Sequence, residues 1–189
     1  MILKERPGCK SKIPMRIIRL GFLWLLCWHN FVQAQSSSIV AIDKYVSRID
    51  SNYRVSISKH GSVIPDTIGV MLAEGYITSG SKTGGFSRAT YHNPSNNVIY
   101  KIVFSDNLYG NINRSYYFNN EQLICVKLEL VDERSELMYS LCQYFLNDIL
   151  IKTDKKYIKV GGAKFVRAHA VNSLAAAKEL FADSKKDLH

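Results

Sequence analysis

Two cysteines, Cys125 and Cys142, have the clearest chemical potential in the part of the chain that we expect to remain after export. Gln122–Val131 and Leu137–Leu146 are typical of two strands of one hairpin that turns at residues 132–135. Pairing about that turn places the cysteines directly opposite each other on one face, where Cβ atoms lie about 4.5–5.5 Å apart. An even pair in an oxidising compartment favours a disulfide, and two packed thiols are the alternative because disulfide geometry is demanding.

Three short motifs match the sequence boxes of serine acyl-enzymes of the penicillin-binding type. They are Ser-x-x-Lys at 56–59, Lys-Thr-Gly at 82–84 and Ser-Asp-Asn at 105–107. That chemistry requires the nucleophilic serine one helical turn before its lysine, but Ser56 falls in a segment that alternates like a strand. The last two boxes also occur in the wrong order. We therefore interpret the three matches as coincidental.

The other motif-like segments predict no catalytic residue, no cofactor and no metal site. Residues 75–83 approach the phosphate-loop pattern Gly-x₄-Gly-Lys-Thr, but one extra serine breaks the spacing. Their composition predicts a flexible loop over residues 79–85 instead. The histidines outside the N-terminal segment have no His or Cys partner at metal-ligand spacing; they are His60, His92, His169 and His189.

The N-terminus has the organisation of a cleavable signal peptide over residues 1–34. Basic residues precede the apolar run Leu20–Trp28, which is shorter than the roughly 20 residues that a membrane-spanning helix needs. We expect cleavage after Ala34, export to the periplasm or the exterior, and no permanent membrane span afterwards. A start at Met15 would give a signal of ordinary length, so the residues before it could be a misassigned start.

Removal of the signal changes the charge of the chain. The whole sequence has 25 Lys and Arg residues against 16 Asp and Glu residues, a net charge of +9. Six of the basic residues and one of the acids lie in residues 1–34, which leaves +4 for residues 35–189. The surplus is spread along the chain, which argues against a nucleic-acid partner. The remaining length fits a single domain.

The periodicity of residues 35–189 predicts an α+β fold, in which an antiparallel β-meander of about six or seven strands carries N-terminal and C-terminal helices. Apolar residues recur at helical spacing in residues 39–52, through Ile42, Tyr45, Val46 and Ile49, and again in residues 168–182. Residues 184–187 read as a solvated tail.

The strand assignments rest on alternating apolar residues and on turn-forming residues between them. Residues 66–77 fit a strand or a helix equally well. The predicted strands are 53–58, 86–92, 98–104, 115–119, 122–131, 137–146 and 149–153, with a further hairpin over residues 156–167.

A repeat lies inside the meander, as two hairpins over residues 115–124 and 142–151. Tyr117–Ile124 and Tyr144–Ile151 share the pattern Tyr-Phe-x-Asn-acid-x-Leu-Ile. The Asn-acid pair suits a two-residue turn, because Asn tolerates left-handed backbone angles. Each copy is therefore predicted to form a β-hairpin.

These hairpins, together with the Gly84-Gly85 strand and the Tyr109-Gly110 connection, resemble a loose group of small exported bacterial proteins. Hairpins reading Tyr-Tyr-Phe-x-(Asn/Asp)-Gly-x-Leu are common in that functionally uncharacterised group. The resemblance spans about residues 40–153 and implies the same architecture, with Glu121 and Asp148 in place of the glycine.

Pairing within the hairpins places Tyr116, Phe118, Leu123 and Tyr144 on one sheet face, which we interpret as core or as a candidate binding face. We expect a small exported binding module of the bacterial envelope or exterior, with a protein or glycan partner. One alternative is an enzyme whose site forms only in the fold, which no sequence motif supports. The other is an envelope component without chemistry of its own.

Overall fold

An antiparallel sheet of seven strands forms the centre of the described structure and confirms the predicted α+β meander. The computed structural model describes residues 37–51, 68–108, 110–132, 134, 136–157 and 173–188. Helix α1 covers residues 37–51. The elements that follow it are β1 (Gly69–Ser79), β2 (Lys82–His92), β3 (Ile99–Asp106), β4 (Asn111–Asn119), β5 (Gln122–Val131), β6 (Leu137–Leu146), β7 (Ile149–Tyr157) and α2 (Ser173–Asp187).

The strands lie across the sheet in sequence order, so each one pairs with the next. This order follows from the short connections, since a tight turn can join only antiparallel neighbours. The contacts described below fall within one compact unit that runs from Val40 to His189. The strand predicted over residues 53–58 lies outside the described residues, as does most of the hairpin predicted over 156–167.

Helix α1 buries the stripe that its periodicity predicts. Ile42, Val46 and Ile49 are buried, and the Tyr45 hydroxyl donates a hydrogen bond of 2.9 Å to the Phe118 carbonyl oxygen in β4. We call the side of the sheet under this helix the α1 face. Four residues lie side by side on this face, and each is the register partner of the next. They are Lys101 on β3, Tyr117 on β4, Cys125 on β5 and Tyr144 on β6.

Helix α2 covers the opposite side, the α2 face. Ala177 is buried there, and Leu174, Leu180 and Phe181 pack against the same core, as the apolar periodicity predicts. The sheet residues of this core are Ile99, Ile102, Tyr116, Phe118, Leu123, Val126 and Phe145.

The predicted solvated tail over residues 184–187 is wrong, because α2 continues to Asp187. Ser184 is fully buried, and its hydroxyl lies 3.0 Å from the Thr90 hydroxyl on β2. A small polar residue is suited to this position because it brings the helix close to the sheet while its hydroxyl still finds a partner.

The two-residue turns predicted for the hairpins are confirmed. Both central residues have positive φ angles, +49° and +65° at Asn120 and Glu121 and +50° and +64° at Asn147 and Asp148. These are the angles of a type I′ turn, whose twist matches that of the flanking strands. Each hairpin also contains a β-bulge directly after its turn, opposite Tyr117/Phe118 in one and Tyr144/Phe145 in the other.

Within the ambiguous segment 66–77, the residues from Gly69 onward belong to strand β1, and residues 66 and 67 lie outside the described residues. The flexible loop predicted over residues 79–85 is wrong. The turn is confined to Gly80 and Ser81, and β2 begins at Lys82. Gly80 has a φ of +60°, a left-handed angle that glycine adopts without steric cost. The Gly-rich composition therefore reflects one tight hairpin and not a long loop.

Candidate functional site

The residues of the predicted binding face are buried and lie on two different faces. Tyr116, Phe118 and Leu123 are 1%, 2% and 3% exposed under α2. Tyr144 is 7% exposed on the α1 face, where its register partner is Cys125. The prediction that the four share one face is wrong, because the bulges shift the side-chain alternation by one residue.

The cysteine pair lies on the α1 face as two free thiols. The prediction that Cys125 and Cys142 share a face is confirmed, but the prediction that they are directly opposite is wrong. Cys125 pairs with Tyr144 and Cys142 with Lys127, so the cysteines are diagonal neighbours on β5 and β6. Their Sγ atoms are 3.7 Å apart, which is contact distance for two thiols and not a covalent bond.

The register differs because the connection between β5 and β6 is longer than the predicted turn. The Asp132 amide donates to the Glu136 carbonyl oxygen at 3.0 Å. The Asp132 carboxylate in turn accepts hydrogen bonds from the amides of Arg134 and Glu136 at 3.0 and 2.9 Å. This loop moves the pairing by one residue relative to a turn centred on residues 133 and 134, and a β-bulge between Leu130 and Val131 moves it by one more. The total shift of two residues preserves the face of each side chain.

A charged cluster from α1 lies beside the thiols. The Asp50 carboxylate accepts hydrogen bonds from Lys101 at 2.8 Å, from the Tyr117 hydroxyl at 3.0 Å and from Lys127 at 3.2 Å. The ammonium groups of both lysines also lie 5.0 and 5.2 Å from the centre of the Tyr117 ring. Sequence reasoning missed this cluster because its members read as ordinary polar positions of a helix and of strands.

A second acid of α1 reaches the other side of the thiol pair. Asp43 accepts a hydrogen bond of 3.0 Å from the Tyr144 hydroxyl. Burial raises the pKa of Tyr144, and the neighbouring Cys142 and Asp43 raise it further because they oppose a second negative charge. Tyr144 is therefore a neutral hydrogen-bond donor next to the thiols.

The two thiols have opposite acid strengths. The hydrogen bond that Cys142 shares with Cys125 lowers the pKa of Cys142, burial opposes this, and the Tyr144 hydroxyl and the Lys127 charge add to the lowering. The same hydrogen bond raises the pKa of Cys125, as does its burial. Cys142 is also the less buried sulfur and the register partner of Lys127, so it is the thiol that ionises more readily. The thiolate is the nucleophilic form of cysteine.

Cys142 also lines a cavity of about 230 Å³ on β5, β6 and β7. Cys125 is fully buried beneath it, whereas Cys142 is partly exposed. The side chains that give this cavity its charge are Lys127, Glu129, Asp154, Lys155 and Lys156. The arrangement combines an accessible nucleophile, a buried second thiol and a nearby cation.

Two of the three serine-enzyme boxes lie together at one end of the sheet. Asn107 of the Ser-Asp-Asn box accepts a hydrogen bond of 2.8 Å from the Gly85 amide, which directly follows the Lys-Thr-Gly box. The carboxylate of Asp106 pairs with Arg114. Both polar side chains are thus occupied within the fold, and the Ser-x-x-Lys box at 56–59 lies outside the described residues.

Strand β1 carries a row of three exposed apolar side chains, and a second exposed group lies at the turn between β6 and β7, at Leu146, Ile149 and Leu150. Neither group belongs to the predicted face. Val70, Leu72 and Tyr76 are 47%, 72% and 83% exposed. They alternate with residues that are partly covered, including Met71 and Ala73. The signal that could have identified them is this alternation, which the sequence hides because the covered positions are apolar or small as well.

Within the described residues, no group of three or more His, Cys, Asp or Glu side chains is arranged to hold a metal ion. The helices among these residues are too short or too polar to cross a membrane. No protein-family model, no curated protein and no solved structure matches the chain.

Proposed function

We propose that the chain is an exported binding module of the bacterial envelope or exterior, and that its partner engages β1 through an extended polypeptide segment. The observation that carries this proposal is the exposed apolar row on an edge strand. Among the described strands, β1 pairs only with β2. A strand of 11 residues therefore offers its outer backbone edge together with Val70, Leu72 and Tyr76.

The two edges of the sheet differ in how they are protected against pairing. Natural sheets commonly place charges on edge strands, because a flat apolar edge pairs readily with another strand. The β7 edge carries Lys152, Asp154, Lys155 and Lys156 within nine residues, whereas Glu74 is the single charged residue of β1. As far as residues 68–108, 110–132, 134, 136–157 and the two helices are concerned, the β1 edge thus keeps the features that strand addition requires, which are unpaired outer backbone groups and alternating apolar side chains.

The export part of the proposal rests on residues 1–34. Fractionation of the natural host, followed by N-terminal sequencing of the recovered protein, tests it. We expect the protein in the periplasm or the medium with an N-terminus at Gln35. Recovery from the cytoplasm with residues 1–34 intact would overturn it. In an oxidising compartment Cys125 and Cys142 would be expected to form a disulfide.

Co-purification from the natural host tests the binding site. Leu72→Ser removes the centre of the exposed row, and Ile149→Ser is its matched control, because Ile149 is 66% exposed on the other edge strand. We expect a specific protein to co-purify with the wild-type chain and with Ile149→Ser, and its recovery to fall at least tenfold with Leu72→Ser.

Three results would contradict the proposal. They are recovery of a bare monomer, equal recovery of the partner with both variants, and retention of a glycan with no protein. Circular dichroism and thermal unfolding of both variants verify that the fold is intact. Because both substituted side chains are largely exposed, each change should alter the unfolding free energy by about 0.5 kcal/mol or less.

A further inference from the structure

The cysteine pair has the arrangement of a reactive site and not only of a structural link. The Sγ atoms of Cys125 and Cys142 are 3.7 Å apart on adjacent strands. A disulfide requires a sulfur–sulfur distance of about 2.05 Å. The two sulfurs are in contact and must approach each other further to bond, and the fold accommodates them as separate thiols.

The two sulfurs differ in access. Cys125 is 0% exposed, whereas Cys142 is partly exposed and lines the cavity between β5, β6 and β7. A reagent that enters this cavity meets Cys142 first. Only afterwards can Cys125 react, and only with a group already attached to Cys142.

We propose that Cys125 and Cys142 form a redox-active dithiol that exchanges with substrate disulfides, with Cys142 as the attacking thiol and Cys125 as the resolving thiol. This goes beyond the proposed binding function and does not depend on it. It also differs from a permanent disulfide, since both the thiol and the disulfide forms take part.

The exchange proceeds in two balanced steps. The Cys142 thiolate attacks one sulfur of a substrate disulfide, a mixed disulfide forms, and the other substrate sulfur leaves as a thiolate that takes up a proton. The Cys125 thiol then loses its proton and attacks Sγ of Cys142, which releases the second substrate thiol. The protein loses two hydrogens and two electrons, and the substrate disulfide gains them.

The surroundings of Cys142 support the attacking role. Lys127 is its register partner on β5 and supplies a positive charge, although its ammonium group also pairs with Asp50 at 3.2 Å. Sγ of Cys125 lies 3.7 Å from Sγ of Cys142. Tyr144 on β6 also favours the thiolate, whereas Asp43 on α1 opposes it. Asp154 on β7 is the register partner on the other side and pairs with Lys152 at 2.7 Å. The cation next to the sulfur therefore comes from Lys127.

The cavity limits the substrate. Its volume of about 230 Å³ is below the range of about 300–1,000 Å³ that is usual for whole small-molecule ligands. It admits the sulfur-bearing end of a larger disulfide compound. Three lysines in its lining, Lys127, Lys155 and Lys156, outnumber the two acids Glu129 and Asp154, which favours a substrate with a carboxylate near the disulfide. Glutathione disulfide has this chemistry and is the probe of choice.

Intact-mass measurement of the reduced protein after addition of glutathione disulfide tests the proposal. We expect the wild-type chain to lose two hydrogens in mass without a lasting adduct, while glutathione is released. Cys125→Ser should stop at a stable adduct of one glutathione on Cys142. Cys142→Ser should react at least tenfold more slowly than the wild-type protein.

The proposal is overturned if the folded wild-type protein does not react, if it stops at the adduct, or if Cys142→Ser reacts as fast as the wild-type protein. Iodoacetamide labelling of Cys142 as a function of pH provides an independent readout. Lys127→Met should move the profile to higher pH, and Lys178→Met on the opposite face should not. Equal profiles for both variants would contradict the role of Lys127.

Discussion

The Asp50 carboxylate accepts a hydrogen bond of 2.8 Å from the ammonium group of Lys101, and this pair ties the end of α1 to β3. Lys101 is 8% exposed. A buried ammonium group without a partner is costly, because the desolvation of its charge is no longer offset. The pair therefore connects the burial of a lysine in the sheet to the docking of a helix on it.

Replacement of Asp50 by Asn should destabilise the protein. The substitution keeps the shape of the side chain but removes the negative charge that lies 2.8 Å from the Lys101 ammonium group. We expect the unfolding free energy to fall by about 2–3 kcal/mol, below the usual cost of breaking a fully buried pair because Asp50 is partly exposed. Urea unfolding followed by circular dichroism measures the difference.

Lys127→Gln is the matched control for that experiment. Lys127 contacts the same carboxylate at 3.2 Å, but its side chain is 40% exposed. Exposed ion pairs contribute about 1 kcal/mol or less, so this variant should remain close to the wild-type protein. Equal losses for Asp50→Asn and Lys127→Gln would show that the buried lysine has no special part in holding α1.

The same carboxylate should make stability depend on pH. Burial opposes ionisation of Asp50, but the hydrogen bond and charge of Lys101 and the charge of Lys127 outweigh it and hold the pKa below the ordinary value of 3.8. The ionised group therefore stabilises the fold fully above that value, and this contribution is lost as the pH falls through the folded-state pKa. The stability gap between wild type and Asp50→Asn should narrow below pH 3.8. A constant gap down to acid unfolding would contradict this explanation.

The hydroxyls of Thr90 and Ser184 predict a non-additive pair of substitutions. Both side chains are fully buried between β2 and α2, and their oxygens are 3.0 Å apart. Thr90→Val or Ser184→Ala leaves one buried hydroxyl without its partner, which costs about 1–3 kcal/mol. The double variant should lose less than the sum of the single losses, because no orphaned hydroxyl remains. Additive losses in a double-mutant cycle would show that the two groups are not coupled.

The sequence predicts the order and pairing of the central strands well, because period-two alternation and turn residues act locally. The bounds of β5 and β6 agree with the prediction, and the Asn-acid turns have the expected left-handed angles. A β-bulge, however, has no recognisable pattern in the local sequence. One extra residue at Ile124 moves Cys125 to the face opposite Leu123, and every assignment of a face beyond that point changes with it.

The candidate site is less predictable than the fold because it depends on contacts between distant segments. The shared face of Cys125 and Cys142 depends only on the two-residue alternation of side chains along each strand. A register error of two residues leaves that alternation, and therefore the shared face, unchanged. The contacts of Asp50 with Lys101 and Lys127 require the docking of α1, which the helical pattern does not specify. The exposure of Tyr76 depends on its position on an edge strand, which the sequence pattern does not specify.

The acids at the hairpin tips occupy left-handed backbone positions that glycine would adopt without steric cost. Glu121 pairs with Lys185 at 2.7 Å and Asp148 with Lys178 at 2.5 Å, so both tips are joined to α2. Glycine in place of Glu121 or Asp148 would remove the backbone strain of a positive φ angle but would also remove the ion pair. Each of the two effects changes the unfolding free energy by about 1 kcal/mol or less.

Salt should separate these two effects. High ionic strength weakens an exposed ion pair and leaves the backbone preference unchanged. We therefore expect Asp148→Gly to become more stable relative to the wild-type protein as sodium chloride is raised, in thermal unfolding experiments. Lys178→Met should abolish this salt dependence. An unchanged difference at all salt concentrations would show that the Asp148–Lys178 pair contributes nothing in solution.

Two adjacent glycines in β2 provide the sharpest test of backbone packing. A Cβ atom at Gly84 would lie 2.6 Å from Cα and 2.7 Å from the amide nitrogen of Leu108, in the connection after β3. A Cβ atom at Gly85 would have its nearest neighbours at 3.9 and 4.0 Å. Because backbone cannot move away as a side chain can, Gly84→Ala should cost about 1–3 kcal/mol.

Gly85→Ala is the control, and it should be neutral or raise stability by about 0.4–1 kcal/mol, since alanine restricts the unfolded chain. Urea unfolding of the two variants measures the difference. A destabilised Gly84→Ala beside an intact Gly85→Ala would establish that the chain after β3 packs directly on β2. If Gly84→Ala is as stable as Gly85→Ala, the connection after β3 does not lie against this strand in solution.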